Sequence, residues 1–304
     1  MNLSSPGGTI TIAGKTVSRL GLGTMRLTGP GTWGTPSDHD AAVSLLRRAV
    51  FTQGITHLDT ADAYGPHTVE ELIHEALHPY PEHLLIATKV GFLRPAPDVW
   101  VPHGRAEYLR ASVEGSLRRL GVDRLDLCYL HRIDPEVGLM DQLYTMAALQ
   151  QEGKVKHIGL SKVSVEELRL ASTVVDVAAV QNVLHMNDRY DPVVEVCRDR
   201  HIPFVPYRPL DAGTLAKSSL LDAALHWLLA LGPHVAPIPG TSSTAHLDEL
   251  VLGVSGFAVT AAAGTDRGSC PGPRGNHYPV PALLDRTDMV TNILYEPSSR
   301  GGTD

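Results

Sequence analysis

The sequence predicts an α/β protein, a (β/α)8 TIM barrel with a β-hairpin ahead of it and an atypical tail behind it. Three observations carry that expectation. Short apolar runs alternate with stretches of helical periodicity, and such alternation implies parallel strands joined by helical crossovers. Eight such runs occur, which points to a closed barrel rather than an open sheet. The chain has 304 residues, 43% of them hydrophobic, and one barrel of that length is an ordinary single unit.

The elements follow in order. Thr9 to Ser18 alternates around Ala13-Gly14-Lys15 and reads as a small hairpin. The strand candidates are Leu20 to Thr24, Thr56 to Asp59, Leu84 to Lys89, Leu125 to His131, His157 to Ser161, Ala178 to Gln181, Phe204 to Tyr207 and Val235 to Pro239. Helices are expected to begin near Asp38, Thr68, Ala106, Asp141, Val165, Pro192 and Ser219. Thr68 with Glu71, and Ser164 with Glu167, have the spacing of capping boxes. From Gly253 the periodicity fades, and Gly264 to Gly275 is rich in glycine and proline. The expected division is therefore a barrel over residues 1–252 and an irregular tail over 253–304, either partly disordered or closing as a lid.

Composition narrows the function classes. A formal net charge of -7 argues against nucleic acid or an anionic membrane as the main partner. No apolar run is long enough to span a bilayer, and the first residues lack the charged and apolar regions of a signal peptide. The three cysteines, Cys128, Cys197 and Cys270, are too few and too widely spaced for a disulfide framework or zinc module, so a reducing cytoplasm is the expectation. Oligomeric state is not legible.

Chemistry concentrates in Ile55 to Gly65, where an apolar run ends in Asp59 and a polar turn delivers Tyr64. On a barrel, Lys89 ends the third strand and His131 the fourth, so all four side chains converge on the face where barrel active sites sit. A free tyrosine is a reluctant acid at neutral pH, and an adjacent ammonium favours its phenolate. Lys89 is expected to play that part, oriented by Asp59, while His131 donates a hydrogen bond to a substrate oxygen or relays a proton. Such an arrangement suits protonation of a carbonyl oxygen as hydride arrives, and the hydride must come from a cofactor.

The chain resembles the aldo-keto reductase family, on Leu-Gly-Leu-Gly-Thr-Met (20–25), Leu-Asp-Thr-Ala-Asp-Ala-Tyr-Gly (58–65), Ala-Thr-Lys-Val-Gly (87–91), Leu-His-Arg (130–132), Gly-Lys-Val-Lys-His-Ile-Gly-Leu-Ser (153–161), Val-Gln-Asn (180–182) and Pro-Ile-Pro-Gly-Thr-Ser-Ser (237–243). Ser161-Lys162-Val163-Ser164 is similar to a bacterial branch near pyridoxal reductases. The resemblance implies a catalytic set of Asp59, Tyr64, Lys89 and His131, and an aldehyde or ketone substrate reduced to an alcohol with NADPH, or NADH. It implies cofactor contacts at Gly23, Thr24, Met25, Asp59, Ser161, Lys162 and Gln181, with Tyr207 stacked on the nicotinamide. Arg208, Pro209 and Leu210 would follow the pyrophosphate. Gly240, Thr241, Ser242, Ser243, His246 and Glu249 would meet the adenosine phosphate at a helix start, where backbone N–H groups favour anions. Lys162, Arg208, His246 and Leu250 stand where the family carries Asn, Ser, Arg and Asn, so the adenosine end is where this chain is expected to differ. Trp33 and Trp100 are the expected substrate contacts. A barrel that binds a nucleotide or protein partner without catalysis is the competing reading.

Two motifs have bland readings. His74-Glu75-Ala76-Leu77-His78 fits H-E-x-x-H but falls on an outer helix with Pro79 next, so a solvated face and no metal are expected. Gly29 to Gly34 fits G-x-G-x-x-G, yet Thr35-Pro36-Ser37 separates it from the helix, so a loop over the barrel mouth is expected.

Overall fold

Hydrogen-bond ladders in the computed structural model, which describes residues 5–216 and 218–263, form a parallel ring. Ahead of the ring stands an antiparallel hairpin of β1 (Thr9–Ile12) and β2 (Lys15–Ser18). The ring strands are β3 (Leu22–Gly23), β4 (His57–Asp59) and β5 (Leu85–Val90), then β8 (Leu125–Leu130), β9 (Val155–Ser161) and β10 (Val177–Gln181), paired in that order and all parallel. Between β5 and β8 a short ribbon at the mouth pairs β6 (Phe92–Leu93) with β7 (Val101–Pro102).

The remaining two expected strands close the ring, but as isolated bridges rather than ladders. Val180 pairs with Phe204, Phe204 with Val235, and Gly240 with Gly23, all parallel. The reason is in the residues: Pro203, Pro206, Pro237 and Pro239 have no N–H to donate, so each removes a rung from the ladder. Their carbonyls still accept, as in Gly21 N–H to Pro237 O at 3.0 Å and Gly23 N–H to Pro239 O at 2.9 Å. At this seam the backbones run so close that a Cβ on Gly240 would stand 2.9 Å from the Gly23 carbonyl oxygen.

The helices are α1 (His39–Phe51), α2 (Thr68–Leu77), α3 (Ala106–Leu120), α4 (Leu139–Gln151), α5 (Val165–Ala171), α6 (Val193–Asp199), α7 (Ser218–Ala230) and α8 (Thr244–Ala263). The last runs past the expected boundary at residue 252. Leu247, Leu250 and Val254 continue one apolar stripe, and Leu250 and Val254 pack with Leu20, Leu221, Leu225 and Leu229. Residues 264–304, which carry Cys270 and most of the expected tail, lie outside the described residues. Among the described residues no helix is long and apolar enough to cross a membrane.

Two hydrophobic layers hold the barrel. Leu85, Ala87, Leu127, Tyr129, Ala179, Val205, Ala236 and Ile238 share one cluster with Ile12 and Val17 of the hairpin, which thereby plugs the end where β5 and β8 begin. Lys15 fastens the plug by donating to Asp126 at 2.6 Å and to the Leu84 carbonyl at 2.7 Å. The outer layer joins strands to helices through residues such as Leu58, Val69, Ile73, Cys128, Leu143 and Ile158. Each such side chain contributes about 1.5–3 kcal/mol on burial. With one end plugged, the opposite end, where every strand finishes, is left for chemistry.

One expected cap forms and one does not. The Ser164 hydroxyl accepts from Glu167 N–H while the Glu167 carboxylate accepts from Ser164 N–H, a complete capping box. At α2 the cap position is His67 at φ 79°, and Thr68 donates its hydroxyl to the Gly34 carbonyl at 3.1 Å instead. Thr68 is tied to the mouth loop because the chain turns sharply at Gly65, φ 96°, where a Cβ would collide with the Thr68 hydroxyl.

Candidate active site

The site is built from strand ends. Asp59 closes β4, Lys89 is next to last in β5, and His131 follows β8 directly. All three are buried, at 2%, 1% and 6% exposure, so their polar atoms must be satisfied by the protein or by what binds there. Tyr64 arrives on the turn between β4 and α2 and is 6% exposed.

Lys89 is the hub. Its ammonium donates to Asp59 Oδ1 at 2.5 Å, to the Thr60 carbonyl at 2.9 Å and to Tyr64 Oη at 3.3 Å, which accounts for its three protons. The other oxygen of Asp59 accepts from Gln181 Nε2 at 2.7 Å. A buried ion pair of this sort costs more in desolvation than it gains unless its polar atoms are hydrogen-bonded, and here all three ammonium protons and both carboxylate oxygens are. Because Tyr64 Oη accepts from Lys89, its own proton is left to point elsewhere. Burial pulls the Lys89 ammonium towards neutrality, but Asp59, Tyr64 and the hydrogen bonds together outweigh it and hold the group above its ordinary value.

The phenol departs from the sequence expectation. Burial pushes Tyr64 up, and the ammonium of Lys89 pulls it down by less, so the net direction is upward. Lys89 therefore limits the rise rather than producing a low phenol. His131 goes the other way: burial first, then the positive charges of Lys89, Lys162 and Arg94, hold it well below its usual range. It is a neutral imidazole at physiological pH, packed edge-on against Tyr64 with centroids 6.0 Å apart and against Phe92 at 4.7 Å. Its Nδ1 has no hydrogen-bond partner among the described residues.

A cleft of about 1420 Å³ opens over this cluster. It runs from Tyr64, His131, Phe92 and Trp100 past Ser161, Lys162, Gln181 and Tyr207 to Arg208, Pro209 and Leu210. It ends at Gly240, Thr241, Ser242, Ser243, His246 and Glu249, where α8 begins, with Gly23, paired to Gly240, and Met25 beside them. Thr24 is fully buried, its hydroxyl donating to the Asp59 carbonyl at 2.9 Å, so it supports the site from behind. Trp33 does not line the cleft. Its backbone pairs with Gly29 and Gly65, and its ring lies 5.7 Å from Arg94 Cζ. The Gly29 to Gly34 segment is thus a strut joined to the Tyr64 turn.

Arg94, which sequence reasoning did not single out, fastens that strut. Its guanidinium donates to the carbonyls of Gly31, Thr32, Ala63 and Val99 at 2.8–3.1 Å and lies 3.7 Å over the Trp100 ring. Only the fold brings those four carbonyls together, so no local pattern announces it. Arg26 also lines the cleft and was not expected; it adjoins Met25, and that adjacency was the available signal. Asp134 orders the loop after His131 by accepting from Gly104 N–H at 2.7 Å and Glu136 N–H at 2.9 Å. On α2, away from the mouth, His74 Nδ1 lies 3.2 Å from the Leu120 carbonyl and its ring stacks on His78.

The cleft fits a long, flat, anionic cofactor on its own features. Tyr207 offers a half-buried ring, the seam at Gly23 and Gly240 leaves backbone exposed without side chains, and the start of α8, a helix end that favours anions, faces one end. Lys162 and Arg208 sit in left-handed backbone at φ 58° and 53°, a conformation that costs a non-glycine residue about 1–2 kcal/mol and accumulates at functional sites.

The family model described as aldo/keto reductase family matches residues 19–223. An uncharacterized oxidoreductase of Schizosaccharomyces pombe is 42% identical over 262 residues, spanning 82% of this chain and 85% of the relative. Pyridoxine 4-dehydrogenase of Escherichia coli is 38% identical over 260 residues, spanning 79% and 91%. In fold, the chain is similar to a solved aldo-keto reductase from Klebsiella pneumoniae in complex with NADPH, with a TM-score of 0.66 at 23% identity over 83% of this chain and 93% of that one.

Proposed function

The chain belongs to the aldo/keto reductase family, and from that premise we propose that it is an NADPH-dependent oxidoreductase that reduces an aldehyde or ketone to an alcohol, with Tyr64 as general acid. One observation carries the reading: Tyr64 Oη accepts a hydrogen bond from Lys89 and keeps its own proton for the cleft. When bound, NADPH supplies the hydride. Ser161, Gln181 and Tyr207 would hold its nicotinamide end, Arg208 to Leu210 its pyrophosphate, and Gly240 to Ser243, His246 and Glu249 its adenosine end. Preference for the 2′-phosphate rests on Ser242, Ser243, His246 and the neighbouring Arg26, all on one rim of the cleft.

The protein's share of the chemistry follows from the pKa directions. A raised phenol stays protonated until it is needed. Neutral His131 positions the carbonyl oxygen by hydrogen bonding and does not compete for the proton. As Tyr64 hands its proton to that oxygen, the phenolate left behind lies beside an ammonium that Asp59 keeps charged. General-acid catalysis of this kind is worth about 10²–10⁴-fold. Tyr64→Phe is therefore expected to lower kcat by about 10³-fold and to leave the NADPH dissociation constant, measured by fluorescence titration, within a factor of about two, since one cleft-wall hydroxyl adds little to so large an interface. Comparable turnover in the variant would remove Tyr64 from the acid role, and tighter binding of NADH than NADPH in the same titration would reverse the cofactor preference.

A further inference from the structure

Lys162 lines the cleft between Phe92 and Tyr207. It follows the last residue of β9, and its N–H donates to the Gln181 carbonyl at 3.0 Å. Its ammonium lies 5.2 Å from the centre of the Phe92 ring and 5.7 Å from that of Tyr207. Phe92 packs directly on His131, so the charge is held at the end of the cleft where a substrate oxygen would sit rather than at the phosphate end. Arg132, next to His131, lines the same volume.

These cations are not matched by anions. Among the described residues neither Lys162 nor Arg132 makes an ion pair or side-chain hydrogen bond. Several nearby carboxylates are engaged elsewhere, Asp59 with Lys89 and Gln181, Glu167 in the cap of α5, and Asp211 with Asn187 and Thr214; Asp98 and Glu249 also line the cleft, and neither pairs with Lys162 or Arg132. Burial first, then the fields of Arg132, Lys89 and Arg208, pull the Lys162 ammonium down to about 8. Facing like charges across a shared, partly dry space is unfavourable until an anion enters it, and the two aromatic rings hold the ammonium in place to meet one.

We infer that Lys162, assisted by Arg132, forms a subsite for a carboxylate on the carbonyl substrate, so that the preferred substrates are anionic aldehydes or ketones. This rests on the reductase reading above and names its substrate class. The carbonyl is presented to Tyr64 and His131 while the carboxylate meets Lys162, which makes Lys162 a specificity-determining residue.

The test compares para-carboxybenzaldehyde with its uncharged methyl ester at saturating NADPH, reading the ratio of kcat/KM between them. The native protein is expected to favour the carboxylated aldehyde by about tenfold, the worth of one charge-assisted hydrogen bond. Lys162→Met is expected to abolish that ratio through KM, and Lys162→Arg to keep most of it. A native ratio near unity overturns the inference without any variant, and so does a ratio that survives in Lys162→Met. Equal loss on both aldehydes together with weakened NADPH binding would make Lys162 a cofactor contact and also overturn it. Reduction of the ester without preference for the acid leaves the reductase reading standing alone. Failure to reduce either aldehyde sinks both.

Discussion

The two halves of the barrel mouth are built differently. From β4 to β8 the strands are joined by continuous ladders, and their ends carry Asp59, Tyr64, Lys89 and His131, each nearly sealed from solvent. From β10 round to β3 the ring is held by isolated bridges between proline-interrupted segments, and the residues there line an open cleft. The contrast separates two demands. The half with buried charges must be over-determined, because each unmatched group would cost several kcal/mol. The half proposed to receive the cofactor has sparse backbone pairing and leaves backbone exposed at Gly23 and Gly240. In the first half function and stability should be hard to disentangle; in the second they should separate.

The strongest challenge to this contrast is Lys89→Met. It strands the Asp59 carboxylate in the interior, so thermal or urea denaturation is expected to show a loss of about 3–5 kcal/mol, along with a fall in kcat of at least about 10²-fold. A large fall in kcat at unchanged stability would show that the two are separable there after all. Asp62 offers a pH test of the same half. Burial first and then the charge of Glu70 push its carboxyl up to about 8. An acid whose folded value lies above its unfolded one stabilises the fold at low pH, and that contribution is lost as pH rises towards about 8. Asp62→Asn removes this loss, so its melting temperature is expected to fall less between pH 6 and pH 8 than that of the native protein, by roughly 4 °C.

The open half should respond mainly in binding. Gly240→Ala places a methyl against the Gly23 carbonyl, so the seam must shift; it is expected to weaken NADPH by about tenfold and to cost less stability than Lys89→Met, because Asp59, Tyr64, Lys89 and His131 stay in place. The smallest effect is expected from Ser242→Ala, about two- to threefold in NADPH affinity at an unchanged melting temperature, since it removes one solvent-exposed hydrogen bond. Loss of stability in either variant equal to that of Lys89→Met would erase the distinction between the halves.

The same division explains what could be read from the chain. The regular strands and Asp59, Lys89 and His131 were legible because apolar runs ending in a charge are conspicuous, and Ser164 with Glu167 was legible because a capping box is a local event. Thr68 with Glu71 has the same spacing, yet its hydroxyl serves Gly34, thirty-four residues away, and no local pattern records that. Strands seven and eight were placed correctly but not their character, since proline removes rungs without disturbing the apolar pattern. The direction of the Tyr64 shift was misjudged because adjacency to Lys89 is visible in sequence logic and depth of burial is not. The helix over Thr244–Ala263 runs past the expected boundary at residue 252, because Gly253 and Gly256 interrupt the apolar pattern and read as a fading signal.

Arg94 has a consequence for engineering. Four of its five N–H groups are divided among carbonyls from three separate loops, and its plane supports Trp100 in the cleft wall. Those loops are mechanically one part. Transplanting any of them singly from a relative would leave a guanidinium with misplaced acceptors, so a graft meant to change substrate range should move residues 29–34, the Tyr64 turn and residues 92–102 as one cassette.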